Sequence, residues 1–116
     1  MYDYRAQVKN IVDGDTLDVC VDLGFHMRRD IRLRLKGIDT AETYGVDKDT
    51  NEYQRGKEHT QFVKEWCDVD TDMEWPFIVY TEQKGSFGRY LATVVRKTDN
   101  KELSKALQDN FDDVSY

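Results

Sequence analysis

The chain has 116 residues, 39% hydrophobic and 34% charged, with a formal net charge of −6. That length suits one domain, 1–116, around one modest core, and no apolar run approaches the ~20 residues a membrane-spanning helix needs. The acidic balance argues against tight, sequence-independent binding of duplex nucleic acid, which ordinarily rests on a basic field.

The opening residues, Met1-Tyr2-Asp3-Tyr4-Arg5, contain no apolar secretory stretch. Taken as complete, the chain is expected in the cytoplasm with no membrane partner; taken as a trimmed piece, it is compatible with secretion. A first strand is expected over residues 4–12, where Tyr4, Ala6 and Val8 alternate with Arg5, Gln7 and Lys9. Asp13-Gly14 signals a tight turn. From Thr16 the period is two: Leu17, Val19, Val21 and Leu23 share one face, and Asp18, Cys20 and Asp22 the other. Gly24 closes a hairpin, and a third strand follows over 27–36, with Ile31, Leu33 and Leu35 inward and Arg32 and Arg34 outward.

Residues 43–51 read as a polar surface loop, and 52–67 as a helix whose apolar face is Tyr53, Phe62, Val63 and Trp66, weakened early by Gly56. A fourth strand is expected over 75–81 with Pro76 near its start, where a missing donor is tolerated. A turn spans 84–88 and a fifth strand 89–97; Asp99-Asn100 turns the chain into a short helix over 103–109, with Asn110 as a left-handed stop. Cys20 and Cys67 read as reduced, partly buried thiols, without the spacing of a zinc site. His26 and His59 read as surface residues in polar surroundings. Five short strands with one inserted helix and a short C-terminal helix make a mainly β chain that fits a Greek-key barrel of the OB type, although several α+β folds share this order.

Three separated segments carry the chemistry: Asp13-Gly14-Asp15-Thr16, then Arg32-Leu33-Arg34-Leu35-Lys36-Gly37-Ile38-Asp39-Thr40-Ala41-Glu42, then Gly88-Arg89-Tyr90-Leu91-Ala92. Asp15 and Asp39 fall at strand ends and offer hard oxygen ligands suited to Ca²⁺ or Mg²⁺. Arg34 and Arg89 suit a phosphate, because a guanidinium donates paired hydrogen bonds. Glu42 is a further carboxylate close to Asp39. Singly, each has an ordinary reading: an Asp-Gly turn, a solvating arginine, a loop carboxylate. Jointly they suit cleavage of a phosphodiester.

In this order and spacing the three segments resemble the staphylococcal nuclease (thermonuclease) family, and Leu103-Ser104-Lys105-Ala106-Leu107 and Val114-Ser115-Tyr116 echo it too. The resemblance implies an OB-fold barrel that hydrolyses DNA and RNA with Ca²⁺, prefers single strands or frayed duplex, and leaves 3′-phosphate ends. It implies that Asp15 and Asp39 bind the metal through carboxylates and Thr40 through its backbone oxygen. Asp13 would lie in the outer shell of that site. Arg34 and Arg89 would hold the scissile phosphate, Glu42 would act as general base or orient the attacking water, and Tyr116 would line the nucleotide pocket. Ala41 stands where the family often has proline, which loosens the loop bearing Glu42. Ser86 and Phe87 stand where it often has lysine and tyrosine, so Phe87 keeps a ring against the nucleotide without a phenolic donor; binding is expected to be weaker than in the type enzyme. A monomer is expected, with a dimer as the alternative should the C-terminal end leave an apolar patch uncovered. The competing reading is an OB-fold that holds nucleic acid or a protein without cutting, to which the acidic charge and the Ser86 and Phe87 departures lean; a structural or inhibitory acidic protein comes third.

Overall fold

The computed structural model describes residues 2–40, 50–84 and 90–114. Within them run β1 (Tyr2–Asp13), β2 (Thr16–Gly24), β3 (Met27–Leu35), α1 (Asn51–Cys67), β4 (Phe77–Lys84), β5 (Tyr90–Arg96), β6 (Lys101–Glu102) and α2 (Leu103–Asn110). Strand β1 pairs antiparallel with both β2 and β4, β2 pairs with β3, and β4 pairs with β5. A parallel pairing of β3 with β5, Leu33–Leu35 against Tyr90–Ala92, closes the ring. The result is a mainly β, closed five-stranded barrel of the OB type, with one helix inserted between β3 and β4 and another after the short β6.

The alternation in β2 and β3 builds the inner wall. Leu17, Val19, Leu33 and Leu35 are wholly buried, facing Val79, Ala92 and Val94 from the other strands. Alternation holds only where the barrel lies behind the strand. The β2–β3 hairpin runs past the barrel, since β5 covers β3 only at Leu33–Leu35 and β1 reaches β2 only to Val21. Leu23 is therefore exposed, against expectation, and so is Met27. Cys20, on the opposite face, is also buried. Removal from water, and then the carboxylate of Asp30, push its thiol pKa up.

Helix α1 starts one residue before the expected position because Thr50 caps it: its hydroxyl accepts from the Tyr53 N–H at 3.2 Å. Its buried stripe is Gly56, His59, Val63 and Trp66. Trp66 stacks on Phe77 at 6.0 Å between ring centroids, joining α1 to the start of β4. Phe62 is only partly buried, and Tyr53 lies outside the buried stripe. Asn100 takes the left-handed conformation at φ 58°, so the turn at Asp99-Asn100 stands, but the two-residue β6 that follows it was not expected. Asn110 does not end α2 in a left-handed stop; it is helical, and Phe111 leaves the helix extended at φ −132°. Residues 43–49 of the expected surface loop and residues 85–88 of the expected turn lie outside the described residues.

Candidate active site

The first segment forms the β1–β2 turn. Asp13 pairs with Thr16, leaving Gly14 and Asp15 as the two turn residues, so Asp15 precedes β2 instead of beginning it. Gly14 is required by space. A Cβ there would stand 2.8 Å from Thr40 Cγ2 and 2.9 Å from His59 Cβ, closer than real Cβ atoms approach. The turn therefore lies against both the segment after β3 and helix α1.

The second segment reaches the same place from β3. Arg34 pairs across the sheet with Thr16, and the Leu35 N–H donates to the Asp15 carbonyl at 2.8 Å. After β3, Gly37 turns the chain at φ 76° and Ile38 drops into the core. The Asp39 N–H then donates to the Val114 carbonyl at 2.7 Å, and the Thr40 N–H donates to Asp15 Oδ2 at 3.2 Å.

These bonds bring Asp15, Arg34, Asp39 and Thr40 together. Arg34 Nη2 lies 3.5 Å from Asp15 Oδ2 and 3.3 Å from Asp39 Oδ1, so one guanidinium nitrogen bridges the two carboxylates. Their environments differ. The Asp15 side chain is 7% exposed and that of Asp39 57% exposed. Asp15 Oδ1 also accepts from the Thr16 hydroxyl at 2.9 Å. Asp15 is thus a fixed, buried carboxylate and Asp39 an outward one, with Arg34 between them at the barrel mouth.

All the donors here are oxygens, the kind a hard divalent cation takes. Two carboxylates and the Thr40 main-chain oxygen fit such an ion in type, with water completing its shell. Among the described residues, no group of three or more His, Cys, Asp or Glu side chains gathers at one point. Glu42, Phe87, Arg89 and Tyr116 lie outside the described residues, as does Ala41.

Behind this site stands a cluster that was not expected. His26 is exposed, but His59 is wholly buried. Its ring meets Phe111 edge-on at 4.6 Å, and its Nε2 lies 3.2 Å from Asp113 Oδ1. Arg55, one turn earlier on α1, donates to both oxygens of Asp113 at 2.7 and 3.1 Å. The paired bonds from Arg55, and more weakly the approach of His59, hold the Asp113 carboxyl below its ordinary pKa despite partial desolvation. Next in sequence, Val114 accepts from the Asp39 N–H, so this latch reaches the outward carboxylate through one residue of backbone. Helical spacing carried the signal: residues 56, 59, 63 and 66 recur at three and four, which places His59 on the buried stripe. Its polar character argued for the surface and was outweighed by the Asp113 partner.

No protein-family model matches this chain, and no curated protein matches it.

Proposed function

We propose that the protein is a Ca²⁺-dependent nuclease of the staphylococcal nuclease kind, hydrolysing phosphodiesters of single-stranded DNA and RNA and of frayed duplex, and leaving 3′-phosphate ends. The observation that carries this reading is the convergence of Asp15, Arg34 and Asp39, from two distant sequence segments, at one end of an OB-type barrel. A binding surface has no need of a buried carboxylate, an exposed carboxylate and an arginine pressed together. Carboxylate oxygens suit a hard cation and a guanidinium suits a phosphate, so the three together suit a cation held beside a phosphate.

In this reading Asp15, Asp39 and the Thr40 carbonyl hold Ca²⁺, with Asp13 behind them. The ion supplies Lewis-acid polarisation of a phosphoryl oxygen when bound. Arg34, paired with both carboxylates in this structure, would be free to donate to the phosphate once a cation balanced their charge. Arg34 and Arg89 then donate to the equatorial oxygens as negative charge builds on phosphorus, where their help exceeds what they give the ground state. Glu42 accepts or orients the proton of the attacking water. Phe87 and Tyr116 hold the nucleotide.

The roles divide experimentally. Asp15→Ala is expected to weaken Ca²⁺ binding in calorimetry, and unchanged affinity removes it from the metal set. Glu42→Gln and Arg89→Ala are each expected to lower cleavage by about a hundredfold or more with the circular dichroism of the fold retained. Full activity in either variant removes that side chain from the mechanism.

A further inference from the structure

The free end of the β2–β3 hairpin is built against local physics. Gly24, Phe25 and His26 take φ of 80°, 52° and 60°, three successive residues in the left-handed region. Two carry large side chains where Asn and Gly would sit without strain. Packing does not reward the choice, because Phe25 is 97% exposed. An exposed aromatic held on a strained turn points to something outside the chain.

Beside it lies a half-open cavity of about 450 Å³, lined by Arg5, Asp22, Phe25, Arg28, Glu74 and Trp75. That lies within the roughly 300–1,000 Å³ of ordinary small-ligand sites. Along it the Arg28 guanidinium lies 4.9 Å over the Trp75 ring and pairs with Glu74. Arg5 is paired with Asp22. Two arginines facing two carboxylates leave the pocket close to neutral, with donors and acceptors side by side. A planar, uncharged, hydrogen-bonding ring fits that chemistry, whereas an anionic lipid surface calls for a net cationic patch.

The cavity shares a face with the candidate active site. Arg28, Asp30, Arg32 and Arg34 occupy the alternate outward positions of β3, opposite Asp22, Cys20, Asp18 and Thr16, and Arg32 is paired with Asp18. Arg34 lies six positions after Arg28, on the order of 20 Å along a strand. A polynucleotide with one phosphate at Arg34 can therefore lie along β3 and reach the hairpin end.

We infer that the hairpin-end cavity is a second nucleotide site, taking an unpaired base of a single strand whose phosphate lies at Arg34, with Phe25 stacking over that base. The inference rests on the nuclease reading only for the position of that phosphate.

Fluorescence anisotropy with phosphorothioate oligothymidylates in Ca²⁺ tests it, using a 12-mer that spans both sites and a trinucleotide that does not. Phe25→Ala is expected to weaken the 12-mer by about tenfold, the scale of one base–aromatic stack, while leaving the trinucleotide unchanged. The salt dependence of 12-mer binding should keep its slope, because a stack releases no counterions. Phe25→Asn relaxes the turn, so it should raise the melting temperature and yet weaken the 12-mer equally, which separates binding from folding. Equal 12-mer affinity in wild type and both variants overturns the proposal. A stacking increment without cleavage of an ordinary oligonucleotide keeps this site and removes the nuclease. Cleavage with no increment does the reverse.

Discussion

Gly14 shows how one residue sets the geometry of the site. A glycine after aspartate reads as turn chemistry, and its φ is not in the left-handed region. What it provides is room for Thr40 and His59. Gly14→Ala is expected to cost about 1–3 kcal/mol in denaturant unfolding and to weaken Ca²⁺ binding, because the added methyl pushes Thr40 away from Asp15. A variant as stable as wild type would show that the two segments part freely. Arg34 has a different task, as counter-charge to Asp15 and Asp39. Removing it leaves a buried carboxylate beside an exposed one, so Arg34→Ala should lower the melting temperature without metal and regain much of the loss when Ca²⁺ is added. A loss that Ca²⁺ does not restore would contradict the idea that guanidinium and cation share one place.

Between elements, the latch of Arg55, His59 and Asp113 ties α1 to the segment after α2, and Val114 passes that anchoring to Asp39. Asp113→Ala removes the acceptor of a wholly buried ring nitrogen, which is expected to cost about 1–3 kcal/mol. It should also weaken metal binding through the freed Asp39 segment; destabilisation with unchanged Ca²⁺ affinity would confine the latch to folding. Elements with a sharp period were legible: β2, β3 and α1 lie within a residue or two of where alternation and helical spacing put them. What escaped depends on tertiary partners. Leu23 looks inward by alternation but has no barrel behind it, and His59 looks like surface until Asp113 and Phe111 are placed around it. Asp15 and Arg34 were legible as types, and their meeting follows from the β2–β3 register, which sets Arg34 opposite Thr16. The bridge from Arg34 to both aspartates was not, because nothing in linear spacing says which cation fills the gap.

For the molecule as a whole, the core is one cluster running from the barrel interior to α1, α2 and Val114. Phe77 joins these parts, 2% exposed and stacked on Trp66, and Phe77→Ala is expected to cost about 3–5 kcal/mol in urea unfolding. Acid sensitivity follows from the ion pairs. Asp18, Asp99 and Asp113 are held below the ordinary aspartate pKa chiefly by Arg32, Arg96 and Arg55, and Asp22 by the Gly24 N–H and then by Arg5. A lowered native pKa means that the unfolded chain binds the proton first. Their contribution is therefore complete above the unfolded value of about 3.9 and is lost as pH falls toward the native values. Unfolding free energy should stay level with respect to these groups from pH 7 to 5 and fall modestly below about pH 4, because the pairs are largely solvent-facing; Asp113→Asn should flatten part of that fall. The proposed activity is cleavage of a phosphodiester at this barrel mouth with the help of a divalent cation. Purified protein incubated with end-labelled single-stranded DNA, in Ca²⁺ or in excess chelator, tests it directly. Cleavage to 3′-phosphate products in Ca²⁺ and none in chelator is the predicted result, and intact DNA under both conditions would contradict it.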